Sequence, residues 1–99
     1  MSDRSWNTVL NRGEGEHLND TATTTAQSYT FQSETSWLKV FNKSNNTELK
    51  ISFDGGSTYF TIPVYHFEPF DKLFVTTIYY KTDSGTAEFE IVAGTNSSE

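Results

Sequence analysis

His17 and His66 are the residues of this chain best suited to hold a metal or move a proton near neutral pH. Neither belongs to a spaced ligand set such as H-x-x-x-H, so no metal ligand is expected. The chain has no cysteine, which excludes disulfides and thiolate sites for metals or redox chemistry. Eleven serines supply hydroxyls, yet no G-x-S-x-G elbow exposes one as a nucleophile, and Gly55-Gly56-Ser57 reads as a tight turn. Glu88 and Glu90, two apart, are the carboxylates open to a hydrolytic reading. They alternate with Phe89 and Ile91, which is the pattern of a strand with one solvated face. Asp54-Gly55-Gly56 and Asp83-Ser84-Gly85 lack the D-x-[DN]-x-[DN]-G spacing of a calcium loop and follow ordinary turn chemistry. Gly13-Glu14-Gly15 is too short for a phosphate cradle and its acids would repel the ligand. No catalytic residue and no cofactor is expected, and the chain reads as a non-enzyme.

The chemistry that remains is that of contact surfaces. Eight Phe, five Tyr and two Trp are more aromatics than a small core can enclose, and exposed rings mark protein or sugar contacts. Tyr65-His66-Phe67-Glu68-Pro69-Phe70-Asp71-Lys72 reads as a connecting loop and is the densest cluster, and Tyr65, Phe67 and Phe70 are candidate partner-binding residues. Phe67 and Phe70 have a second reading, as plugs closing one end of the fold. Trp6, Val9 and Leu10 complete the candidate set, because an unstructured tail rarely carries a Trp.

These residues must be positioned by strands. Ser, Thr and Asn together supply 33 of 99 residues, a β-rich composition with no segment that favours a helix. Residues 1–20 show no sustained apolar period and read as an extended N-terminal arm. Thr21 to Phe31 reads as one strand, rich in β-branched residues. Trp37–Asn42 and Glu48–Phe53, joined by the turn cluster Lys43-Ser44-Asn45-Asn46-Thr47, read as a hairpin. Thr58–Val64 returns after Asp54-Gly55-Gly56-Ser57 as a second hairpin, with Pro63 marking an edge strand or a strand end. A third is expected between Leu73–Lys81 and Thr86–Ala93, and residues 96–99 read as a frayed tail.

The expected fold is all-β: a small antiparallel meander of about six strands, packed as a sandwich or partly closed barrel over residues 21–95. About 75 residues make a marginal core, which favours a homo-oligomer, with a trimer preferred. The net charge of −6 repels phosphate backbones and argues against nucleic acid as a partner. No apolar run approaches the roughly 20 residues of a membrane span. No apolar signal-peptide region follows Met1, which points to synthesis in a cytoplasm.

The stretch Val40-Phe41-Asn42-Lys43-Ser44, followed by Leu49-Lys50-Ile51-Ser52-Phe53-Asp54-Gly55-Gly56-Ser57 and by Phe60-Thr61-Ile62-Pro63, resembles small virion proteins of tailed bacteriophages. The Thr82-Asp83-Ser84-Gly85-Thr86 turn and the closing Ala93-Gly94 extend the resemblance over roughly residues 37–94. It implies a capsid-decoration, head-fibre or other accessory role on an assembled particle, often as a trimer, with the arm engaging neighbouring capsid or virion subunits. It implies no catalytic residues. The expected location is the virion, after synthesis in the host cytoplasm. The alternative, suggested by the aromatics and the Asn- and Asp-rich turns, is a carbohydrate- or receptor-binding sandwich.

Overall fold

The computed structural model describes residues 15–94. They form eight strands: β1 (Glu16–Ala22), β2 (Gln27–Thr30), β3 (Trp37–Asn42), β4 (Leu49–Ser52), β5 (Phe60–Ile62), β6 (His66–Asp71), β7 (Thr77–Lys81) and β8 (Ala87–Gly94). Two four-stranded antiparallel sheets, ordered β1-β8-β3-β6 and β2-β7-β4-β5, pack face to face. Every connection except β4–β5 carries the chain from one sheet to the other, which is the double Greek-key order of a jelly roll.

The core follows from period-two alternation on the inner faces. Leu38 and Val40 of β3 meet Phe89, Ile91 and Ala93 of β8 in the first sheet. Leu49, Ile51, Ile62, Ile78 and Tyr80 oppose them from the second, and all are buried. The Tyr80 and Phe89 rings cross the gap edge to face at 4.8 Å. The space between the sheets is filled by side chains, and every buried side-chain polar atom among the described residues has a hydrogen-bond partner.

The sandwich is the expected one, but its topology corrects the meander. There are eight strands among the described residues, not six. The β4–β5 hairpin forms as expected, with Leu49 opposite Ile62 and Ile51 opposite Phe60. Pro63 follows the last residue of β5, an edge strand. The other two hairpins do not form, because β3 pairs with β6 and β8 while β4 pairs with β5 and β7. Thr21 to Phe31 is two strands in different sheets, broken at Thr23–Ala26, where the Thr25 N–H bonds the Thr23 hydroxyl at 3.2 Å.

Residues 16–20, assigned by sequence to the arm, belong to β1, so the sandwich begins at Glu16 and not at 21. Glu16 pairs with Ala93, and the register runs to Ala22 opposite Ala87. The inward side of β1 carries Glu16, Leu18, Asp20 and Ala22, an alternation that two carboxylates hide. Both acids are satisfied from the facing sheet: the Tyr29 hydroxyl donates to Glu16, and the Tyr80 hydroxyl donates to Asp20 at 2.7 Å. The candidates Trp6, Val9 and Leu10, and the tail at 96–99, lie outside the described residues.

Asn42, at the end of β3, is fully buried and joins three segments. Its amide nitrogen donates to the carbonyls of Thr47 (2.9 Å), Ile62 (3.1 Å) and Pro63 (3.1 Å), and its Oδ1 accepts from the Ser44 N–H at 3.0 Å. Asn42→Asp would turn a carboxylate oxygen toward those three carbonyls. We expect a loss of about 3 kcal/mol in chemical denaturation at neutral pH. The loss should shrink in acid, where the carboxyl regains a proton to donate.

Burial first, and then the bonds to Glu16 and Asp20, push both the Tyr29 and Tyr80 phenols from 10.0 up to about 12. The folded state therefore holds these protons more tightly than the unfolded chain. The contribution of these two phenols to stability should be constant below pH 10 and be lost as pH rises from 10 toward 12. Denaturation midpoints across that range check this, and a Tyr29→Phe/Tyr80→Phe protein should lose the dependence.

Candidate functional site

The outer face of the β1-β8-β3-β6 sheet carries large apolar side chains along β3 and β6, where a solvated face is expected. In β3 the inward Leu38 and Val40 alternate with Trp37, Lys39 and Phe41, which point outward. Register places Phe41 between Glu90 of β8 and Phe67 of β6, and Lys39 between Val92 and Pro69. Trp37, Lys39, Phe41, Phe67, Glu90 and Val92 line a shallow concavity of about 370 Å³. Phe67 is 53% exposed and Val92 37%. Large apolar side chains gathered on one rigid sheet face, rimmed by charge, are the anatomy of a protein contact.

The charges around it are ordered. Glu90 accepts from the Lys43 ammonium at 3.1 Å and lies 3.4 Å from His17 Nε2. The Lys43 bond is the main reason its carboxyl is held below the ordinary glutamate range, with His17 adding to it. Lys39 extends over the Trp37 ring, 5.4 Å from its centroid.

Tyr65 stands at the head of β6, 69% exposed and with φ of 49°. A bulky residue in the left-handed region costs about 1–2 kcal/mol relative to glycine. It is held there by its N–H, which bonds the Ser44 carbonyl at 2.8 Å, and by its ring, 5.5 Å from that of Phe41.

The sequence-predicted aromatics thus divide. The segment expected to be a loop is strand β6, an edge strand that tolerates Pro69 because only β3 pairs with it. Phe67 points outward into the concavity, and Tyr65 flanks it through Phe41. Phe70 is on the opposite face of the strand, half-buried against Phe53 (5.1 Å) and Phe60 (5.8 Å), where it closes the edge between β5 and β6. That placement fits its second reading, as a plug. Trp37, Lys39, Phe41, Glu90 and Val92 were not singled out by sequence as contacts. The signal for three of them was present in Trp37-Leu38-Lys39-Val40-Phe41, whose two faces are both apolar.

Other candidates resolve locally. Oδ1 of Asp54 accepts from the Ser52 hydroxyl (2.8 Å) and the N–H groups of Ser57 (3.1 Å) and Thr58 (2.9 Å), so this carboxylate folds its own turn. Those bonds, the Thr58 N–H foremost, lower its pKa. Gly55 and Gly56 supply the positive φ of the same turn. His66 lies 2.9 Å from Glu68, and no group of three or more His, Asp or Glu side chains able to hold a metal occurs among the described residues. A second, mostly polar cleft of about 370 Å³ opens between the β3–β4 and β7–β8 connections, lined by Asn46, Thr47, Glu48, Val64, Asp83 and Ser84.

No family profile and no curated protein matches the chain. Among solved structures, it is similar to a Cupin_2 domain of an XRE family transcriptional regulator from Enterobacter cloacae. The TM-score is 0.60 with 16% identity, over 85% of this chain and 84% of that one. It also matches a chain from Bacillus endospore appendages, which form disulfide-linked pili, at a TM-score of 0.49 and 14% identity, over 84% and 87% of the two chains. At such identities the first likeness shows the fold alone.

The Tyr65 backbone provides a test. Tyr65→Gly should be more stable than Tyr65→Ala by about 1 kcal/mol, since only glycine relieves the positive φ. Equal midpoints in urea would show that the site carries no strain.

Proposed function

We propose that this chain is a non-enzymatic structural protein that attaches to a larger assembly through the outer face of its β1-β8-β3-β6 sheet. The assembly we infer is a bacteriophage particle, on which it serves as a capsid-decoration or other accessory subunit. The observation that carries the attachment reading is the outward row of Trp37, Phe41, Phe67 and Val92, set on paired strands rather than on loops. Such a row presents apolar area without an ordering cost on binding. The virion reading rests on the resemblance of residues 37–94 to phage accessory proteins, and the jelly-roll architecture, which also occurs in capsid proteins, adds an analogy of fold. Within this reading Trp6, Val9 and Leu10 are further contacts to neighbouring subunits, the protein is a homo-oligomer with a trimer favoured, and it resides in the virion.

The polar cleft beside Asn46, Thr47, Asp83 and Ser84 favours a second reading, a carbohydrate-binding module, because amide, hydroxyl and carboxylate groups converge there as sugar hydroxyls require.

Antibodies against the purified domain should label tailed-phage particles from a culture carrying the gene. Phe67→Ser should abolish attachment of the recombinant protein to such particles, with little change in Tm because that ring is half exposed. Phe74→Ser, at an exposed ring that does not line the concavity, should leave attachment intact. Unlabelled particles, together with glycan-array binding lost on Asp83→Ala, would replace the virion reading with the carbohydrate one.

A further inference from the structure

The concavity contains one charge that the fold leaves uncompensated. Of the two charged side chains lining it, Glu90 is engaged by Lys43 and His17. Lys39 is in no ion pair among the described residues, and its ammonium has only the face of Trp37. Lys43 is paired with Glu90 and Lys50 lies 3.6 Å from Asp83, while Lys72 and Lys81, the latter over Tyr59 at 4.7 Å, are likewise in no ion pair among the described residues but do not line the concavity. Asp71, opposite Trp37 on β6, makes no ion pair with Lys39. A chain of net charge −6 thus presents, within an apolar concavity, a cation with no ion-pair partner among the described residues.

Resting on the docking reading above, we propose that the segment seated here is an acidic, apolar stretch of the partner protein. An aromatic or branched aliphatic side chain lies over Phe41, Phe67 and Val92, and a neighbouring carboxylate meets Lys39. Charge complementarity selects this occupant. A wholly apolar segment would bury the ammonium without a partner, and a basic one would repel it. Nucleic acid is disfavoured by the acidic surroundings. A second copy of this chain offers Glu90, which is already engaged, together with Glu88 and Asp71 on the same outer face, and is the competing occupant that the self-association readout below detects. Trp37 to Phe41 spans roughly 13 Å at about 3.3 Å per residue, which fits an extended stretch of four or five residues.

The test uses the full chain, isotope-labelled, titrated by NMR with three capped peptides that share a Phe-Ile centre. One is flanked by Asp and Glu, one by Asn and Gln, and one by Lys. The acidic peptide should shift the Trp37 indole N–H and the amides of Phe41, Phe67 and Val92. The amide peptide should bind at least tenfold more weakly, and the basic one should leave these signals unmoved. Lys39→Glu, at an exposed side chain, should reverse the ranking. Equal binding of the acidic and amide peptides would overturn the acidic preference while leaving the docking face standing. Self-association that buries Trp37, with no peptide binding, would overturn the inference in favour of a second copy. Failure of Phe67→Ser to affect particle attachment would instead bring down the docking reading itself.

Discussion

The side chain of Asn42 is the constraint on which the arrangement depends. At the end of β3 the chain leaves one sheet for the other, and backbone groups from the β3–β4 connection and the end of β5 arrive at the same buried place. One amide reaches three carbonyls there with two N–H hydrogens, one of them shared, and its oxygen accepts from the Ser44 N–H. Buried carbonyls without donors would each cost more than the bond itself contributes, so the site admits few other side chains. Ser44, fixed by Asn42, offers its carbonyl to the Tyr65 N–H. That bond starts β6 in the register that sets Phe67 beside Phe41. A buried amide at one end of the sandwich therefore decides which aromatics face outward along the sheet.

The sheet edges are managed by the same economy of polar groups. β1 is an edge strand whose inward side carries two carboxylates, each bonded by a tyrosine hydroxyl of the facing sheet. Inward charge on an edge discourages pairing with another chain. On the other side Pro69 lies within edge strand β6 and Pro63 closes edge strand β5, while the Phe53, Phe60 and Phe70 rings fill the gap between them. With these three edges protected in this way, the association proposed above falls to the outer face of the first sheet rather than to them.

Much of the core was legible in the residues. Alternation of Leu49 and Ile51, and of Phe89 and Ile91, identified inward positions, and Asp54-Gly55-Gly56 identified the one true hairpin. The connectivity was not legible. Lys43-Ser44-Asn45-Asn46-Thr47 has the composition of a hairpin turn, and local turn chemistry does not record whether the next strand pairs beside the last or crosses to the facing sheet. The role of Asn42 is long-range and leaves no local mark. β1 was obscured because its inward positions include acids whose partners are distant in sequence. At the site, aromatic density pointed to Tyr65 and Phe67. Counting alternate positions from Phe67 places Phe70 on the opposite face of a strand, a step that required knowing the segment was a strand at all.

The central claim is that the aromatic sheet face, and not the loops, meets the partner. Hydroxyl-radical footprinting of the protein free and attached to purified particles measures this directly, residue by residue. The account predicts protection at Trp37, Phe41 and Phe67 on attachment, with Phe60 and Phe74 unchanged. Protection confined to the connections bearing Asn46, Thr47, Asp83 and Ser84, with the sheet face still reactive, would contradict it.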